Sequence, residues 1–242
     1  TDCSSEHVLD KYIISRLRQV KLEVTKGFEN LTVDTAFRPI EKFIDDLSVW
    51  YLRRSRDRFK SDLVQDRKLV LQTTRYVLEN FAKVLAPIMP YTSEMIWKEI
   101  KDTTQPMSVH LTTWGESPEL ESSDIENIEK MEMARSMVSK ILDERLKAKI
   151  KVRQPLLEAT FNPNKKIDEE YIEEIMAETN IRNIKFDSAV DADSVVLNLE
   201  ITEELKKEGV YRELVRMIQD KRKEENLKVG EMVKIVLPES MT

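Results

Sequence analysis

The sequence predicts a mainly α-helical protein: a helix bundle over residues 1–118 followed by a smaller α+β domain over residues 119–242. Three observations carry that prediction. Apolar residues recur every third or fourth position through the first half, the spacing that lines one face of a helix. Only four glycines occur in 242 residues, with 40% hydrophobic and 35% charged side chains, which is the composition of a folded, helix-rich chain. From Ser108 onward, short β-branched stretches alternate with helical ones, as in an α+β module.

The elements follow in order. Ile13, Leu17, Val20, Val24 and Phe28 form the first helical stripe. A second helix starts after Thr32, a suitable N-cap, and runs to residue 59, with Pro39 kinking it near its start. A third covers residues 66–85, with Leu69, Thr73, Tyr76, Val77, Phe81 and Val84 inward. Pro87 and Pro90 stop it, and Thr92 or Ser93 caps a short fourth helix carrying Met95, Ile96 and Ile100. SVHLTTW (108–114) is short and β-branched, and the GESPE after it is turn-prone. An acidic linker, 119–129, holds the domain boundary near 118–125 and leads into a helix with Met133, Met137, Ile141 and Leu142 on one side. KIKVRQPLLEATF then alternates Ile150 and Val152 with Lys151 and Arg153 as a strand does, with Pro155 interrupting its hydrogen bonds. A helix (168–178), two strands (181–186 and 195–201), a long helix (203–225) and a last strand (233–237) complete the module. The methionines read as core filler.

Composition excludes several classes. No apolar run approaches the ~20 residues of a membrane span. The start, TDCSSEHVLDK, has neither the basic nor the apolar region of a signal peptide, and it lacks an initiator methionine, so a piece of a longer chain is expected. Cys3 is the single cysteine, which rules out an intrachain disulfide and fits a reducing, cytoplasmic setting. His7 and His110 stand alone, so no metal site is expected. The nucleophile-elbow, Walker A and dinucleotide fingerprints are absent, and no catalytic residue is expected in this chain.

The formal net charge of −6 is unevenly spread. Eight basic residues lie between Arg53 and Arg75 against Asp57, Asp62 and Asp66, and five lie between Arg145 and Arg153 with no acid among them. An acidic total does not forbid polyanion binding, because the field that steers it is local and screened within ~10 Å. On a wheel of roughly 100° per residue, Arg54 and Arg58 continue the stripe of Ile40, Phe43, Leu47 and Tyr51, whereas Arg53, Arg56 and Lys60 turn away from it. Two guanidiniums in a core stripe must meet carboxylates, carbonyls or a partner; Glu23, Glu79 and Glu94 are the conceivable acids. The second cluster, RLKAKIKVR, reads either as a soluble helix end and edge strand or as a phosphate-attracting patch. Trp50 and Trp97 lie beside apolar stripes as core anchors, and Trp114, near a turn, is the tryptophan open to stack on a base.

LSVWYLRRSRDRF (47–59) resembles the anticodon-binding signature of class I aminoacyl-tRNA synthetases in its isoleucyl form. LAPIMPYTSEMIW (85–97), SVHLTTW, IKVRQPL (150–156), TNIRNIKF (179–186) and YRELVRMIQDKRKEENL (211–227) continue the resemblance in order over most of the chain. Val49, where the family often has asparagine, and Asp57, inside the arginine run, depart from the pattern. The resemblance implies a parent that activates isoleucine with ATP and Mg2+ and charges tRNA-Ile, with this chain binding and positioning the anticodon arm as part of a monomer. Neither HIGH nor KMSKS occurs, which implies a catalytic core upstream in the same polypeptide, no activity or cofactor of this chain's own, and an open question of zinc in the parent. Carried onto the residues, it implies RNA contacts from Arg53, Arg56, Lys60, Lys147, Lys149, Lys151, Arg153 and Trp114, and structural or interdomain roles for Trp50, Arg54 and Arg58. The alternative is a non-catalytic helical module that docks proteins or the rest of its own polypeptide.

Overall fold

The computed structural model describes residues 5–117, 119–228 and 230–234. It is mainly α-helical, with a helix bundle and a small α+β part. The helices are α1 (Val8–Glu29), α2 (Val33–Asp45), α3 (Arg56–Phe59), α4 (Val64–Leu85), α5 (Pro90–Ile100), α6 (Ser122–Lys147), α7 (Glu169–Thr179) and α8 (Glu203–Glu224). The strands are β1 (Leu156–Phe161), β2 (Ile181–Phe186) and β3 (Val195–Leu197). Two compact units emerge: Thr1–Ser136 with Ile167–Glu174, and Met137–Lys166 with Ile175–Thr242. The division passes through α6 and α7 rather than through an extended linker.

In the helical unit, α1 buries Ile13, Leu17, Val20 and Val24 and begins five residues before the predicted stripe, because Val8, Leu9, Asp10 and Tyr12 are buried too. His7 caps it, its Nδ1 accepting the Leu9 N–H at 3.2 Å. It ends in a Schellman turn with Leu31 at φ +56, where the Thr32 N–H reaches the Gly27 carbonyl at 2.8 Å and the Leu31 N–H that of Phe28. α2 returns so closely that a Cβ on Gly27 would sit 2.8 Å from the Ala36 Cβ. Glycine is needed there for approach, not for backbone freedom.

The helix expected from Thr32 to residue 59 is not continuous. After α2, with Pro39 buried inside it, Asp46–Leu52 is π-helical and α3 is a separate short turn. Apolar spacing cannot reveal this, because Phe43, Leu47, Trp50 and Tyr51 stay buried through the wider turn. α4 packs Val70, Thr73, Val77, Phe81 and Val84 inward, and the Phe81 ring lies 4.7 Å from that of Phe43. α5 starts at Pro90, behind Met89 rather than at Thr92 or Ser93, and turns Ser93 and Trp97 inward. Met95 is therefore exposed, not core, as are Met89, Met107, Met217 and Met232, while Met131 and Met137 do fill the core. SVHLTTW forms a 3-10 turn, Val109–Leu111, fixed by Glu94, which accepts from the Ser108 hydroxyl and the Val109 N–H. α6 already begins at Ser122, so most of the acidic stretch is helix: Asp124, Ile128, Met131 and Ala134 form its buried stripe.

In the second unit the sheet order is β2-β1-β3. β1 and β2 are parallel, pairing Leu156 with Ile181 and Phe161 with Phe186, so the chain must cross over between them, and α7 is that crossover. β3 is antiparallel to β1, setting Val195 opposite Phe161, and it stops at Leu197 rather than reaching residue 201. Leu156, Ala159, Phe161, Ile181, Ile184 and Val195 are buried. The strand expected across Ile150 and Val152 is a loop, and β1 starts only after Pro155. The strand expected over 233–237 is not seen at Val233 and Lys234, and its remainder lies outside the described residues.

Gly27→Ala should destabilise the protein by about 1–3 kcal/mol through overpacking against Ala36, although alanine is the better helix former. Urea unfolding that finds the variant more stable would refute this account of the α1–α2 contact.

Candidate nucleic-acid interface

The arginine run is sorted by what each guanidinium can reach. Arg58 makes a two-pronged pair with Asp10, Nη1 to Oδ1 at 2.9 Å and Nη2 to Oδ2 at 2.8 Å, and its Nε donates to Asp66 at 2.9 Å. Asp10 is fully buried and also accepts from the Tyr51 hydroxyl at 2.8 Å and from the Ser5 hydroxyl. Burial alone would raise the Asp10 pKa, but the hydrogen bonds of Arg58, Ser5 and Tyr51 and the Arg58 charge outweigh it and hold the carboxyl below its ordinary value. Arg54 pairs with Glu174 at 2.7 Å and also donates to that residue's backbone carbonyl at 3.3 Å. The inward placement of Arg54 and Arg58 thus agrees with the wheel, but none of Glu23, Glu79 and Glu94 is the partner: Glu79 pairs with Lys83, and Glu94 holds the 108–109 turn.

A second buried network lies beside the first. Asp46 accepts from Arg16 Nε at 2.9 Å and from Arg135, whose guanidinium also donates to the Tyr12 hydroxyl and covers the Trp50 ring at 5.2 Å. Trp50 is a core residue, its indole N–H directed at the Met131 sulfur.

The remaining cations of the run face outward. Arg53 is exposed, with its Nε on the Val49 carbonyl at 2.9 Å. Arg56 and Lys60 are exposed, and their side chains have no partner among the described residues. Trp114 is less open than its turn-side position implied. It is half-buried, its indole N–H donates to Thr25 at 3.0 Å, and its ring meets Phe28 edge-on. Its remaining surface lines a shallow cleft of about 290 Å3 with Lys83, His110 and Thr112.

In the second unit the acid-free cluster is less uniform than its sequence. Arg145 is buried; Arg153 pairs with Glu213 of α8 at 3.1 Å; Lys147 pairs with Glu144 at 2.6 Å while staying exposed. Lys149 and Lys151 project into solvent, the latter 3.9 Å from Glu213. Sequence reasoning missed Glu213 because it arrives from another element, 60 residues away.

The description that fits residues 10–161, nearly two thirds of the chain, is the anticodon-binding domain of tRNA ligases. The chain belongs to that family. As an anticodon-binding domain it is similar to the isoleucine–tRNA ligase of Clostridium novyi (strain NT), 36% identical over 193 residues, covering 76% of this chain and 18% of that protein. The isoleucine–tRNA ligases of Clostridium acetobutylicum and Nocardia farcinica match at 33% and 28% identity over 97% and 96% of this chain, which spans 23% and 29% of their lengths. Among the described residues no group of three or more His, Cys, Asp and Glu side chains is placed to hold a metal ion, and no helix is long and apolar enough to cross a membrane.

Asp10, Asp46 and Asp124 are the residues that sequence reasoning missed, and a signal for them existed. Asp10 falls on the stripe of Ile13, Leu17, Val20 and Val24, Asp46 lies between Phe43 and Leu47, and Asp124 precedes Ile128 and Met131. An acid on an apolar stripe demands a buried cation just as Arg54 and Arg58 demanded acids.

Arg58→Ala should cost about 3–5 kcal/mol of stability, since it strands a buried carboxylate, and Arg54→Ala should cost less but measurably; Arg56→Ala should stay within about 0.5 kcal/mol of the parent. Equal melting temperatures for all three would refute the sorting. The pH response follows from two groups. Burial and the Arg58 charge lower the His7 pKa from 6.5, so stability falls as pH drops through that unfolded value. Asp10, depressed from 3.8, contributes stability present above that value and lost as pH falls towards its folded pKa. Urea midpoints should therefore decline in two stages, and His7→Asn, which keeps a capping acceptor, should remove only the upper one.

Proposed function

We propose that this chain is the anticodon-arm-binding portion of an isoleucine–tRNA ligase. The family match over residues 10–161 carries the reading, and the names of the relatives supply the amino acid. In this reading the parent activates isoleucine with ATP and Mg2+ handled elsewhere in the polypeptide, acts as a cytoplasmic monomer, and relies on this chain for tRNA affinity. Arg53, Arg56 and Lys60 of the helical unit contact phosphates of the anticodon arm, and so do Lys149 and Lys151 of the second unit. Arg56 and Lys60 are supported best: both are exposed and carry charge that no described acid offsets. Lys147 and Arg153 assist from positions already shared with Glu144 and Glu213. Phosphate contacts of this kind position the RNA without reading it. The free part of Trp114 offers a stacking edge beside its cleft.

A docking role is the second reading, favoured by Tyr91 and Met95, one turn apart and exposed on α5. Filter binding of the chain to tRNA-Ile and to a random acidic polypeptide, across salt, separates the two. Arg56→Glu and Lys151→Glu should each weaken tRNA binding and reduce the slope of log affinity against log salt by about 1. Unchanged affinity and slope in both variants would refute the phosphate assignment; equal affinity for the acidic polypeptide would favour docking.

A further inference from the structure

The loop between α6 and β1 is built around two side chains, Arg145 at the head of the basic cluster and Asn180 before β2. Arg145 Nη1 donates to the carbonyls of Lys151 and Gln154 at 3.3 and 2.9 Å, and its Nη2 donates to the carbonyl of Asn180 at 3.0 Å. Asn180 Nδ2 in turn donates to the carbonyls of Val152 and Arg153 at 3.0 and 3.1 Å. Four consecutive carbonyls, 151 to 154, are thus drawn inward by one arginine and one asparagine. The next, of Pro155, is met by Gln154 Nε2, which also donates to the Leu205 carbonyl at 2.8 Å and packs on Gly209 of α8.

Lys151 and Val152 are exposed, as is Lys149 at the other end of the loop. Lys149 occupies the left-handed C′ position of a Schellman turn, with φ +57, the Ile150 N–H on the Arg145 carbonyl at 2.9 Å and its own N–H on the Leu146 carbonyl at 3.0 Å. Among the described residues the buried Arg145 guanidinium has no carboxylate partner, and that desolvation lowers its pKa to about 10. A buried cation met only by carbonyl dipoles is an expensive way to stabilise a loop.

We infer that Arg145 and Asn180 are positioning residues for RNA binding, fixing the 148–155 loop so that Lys149 and Lys151 stand as a preformed pair of phosphate-binding cations. This rests on the RNA-binding reading above, and it adds that the affinity of the two lysines depends on a backbone clamp that touches no RNA. Holding charges in place before binding removes the ordering cost that flexible lysines otherwise carry.

Asn180→Gly is the informative variant. Asn180 has φ +53, which glycine adopts freely, so the turn into β2 is retained while both carbonyl contacts are lost. Arg145→Lys is the conservative companion, keeping the charge but not the fork. Binding of a fluorescent anticodon stem-loop of tRNA-Ile to the full chain is measured across salt for the parent, Asn180→Gly, Arg145→Lys, Lys149→Ala/Lys151→Ala, and the combination of Asn180→Gly with both alanines, with hydrogen exchange of residues 148–155 alongside. Asn180→Gly and Arg145→Lys are each expected to speed exchange in the loop and weaken binding several-fold. The combined variant should bind no more weakly than the two alanines alone, because the clamp acts through the lysines. If Asn180→Gly binds like the parent while the alanines weaken binding, or if its loss adds in full to theirs, the clamp inference is overturned and the RNA reading stands. If the parent does not bind, or the alanines change nothing, the lysine assignment fails and the clamp inference with it.

Discussion

Asp10 carries a full charge to a position with no exposed surface, and much of the helical unit is arranged to make that tolerable. Removing a carboxylate and a guanidinium from water costs several kcal/mol per ion even after relaxation. The cost is offset only where geometry is good and each lone pair is used. Asp10 accepts two prongs from Arg58, one bond from Tyr51 and one from Ser5, and Arg58 spends its Nε on Asp66. That single cluster joins α1, the π-helical segment, α3 and α4. It also fixes which way the arginine run faces. With Arg58 committed to Asp10 and Arg54 to Glu174, the neighbouring Arg53, Arg56 and Lys60 are left at the surface.

The same economy recurs along α1. Arg16 and Arg135 converge on Asp46, and Arg18 and Ser15 on Asp124. Net charge is for this reason a poor guide to what the protein presents to a polyanion. Several of its cations are consumed inside by acids that contribute equally to the formal total of −6, and the surface field is set by those that remain. The π-helical segment belongs to this logic. It widens the helix directly before the arginines while keeping Leu47, Trp50 and Tyr51 inside, so Tyr51 reaches Asp10 and Trp50 lies under Arg135.

What was legible in the sequence was periodic, and what was not depended on partners distant in the chain. α1, α4, α7 and α8 follow the helical spacing of their apolar residues, and β2 was placed at its observed bounds, Ile181–Phe186. The π-helical segment was invisible because a wheel of fixed pitch cannot register an inserted residue. The start of α6 was hidden by acids, one of which, Asp124, is buried and bonded. The alternation of Ile150 and Val152 imitates a strand, yet the carbonyls of Lys151 and Val152 are bonded to side chains instead of to a neighbouring strand. The inward turn of Arg54 and Arg58 was readable; their acids, 120 and 48 residues away, were not.

These constraints bear on which charges the surface keeps. Arg38, Arg56 and Arg67 and lysines such as Lys60 and Lys149 have no acid partner among the described residues, whereas Arg16, Arg54, Arg58 and Arg135 are held by acids. The loop carbonyls pinned by Arg145 and Asn180, and the pairing of Arg54 and Arg58 with Glu174 and Asp10, both restrict the backbone that carries the neighbouring cations. Buried charge thus decides which cations of an acidic chain stay at its surface, and the surface field follows from those rather than from the formal total of −6.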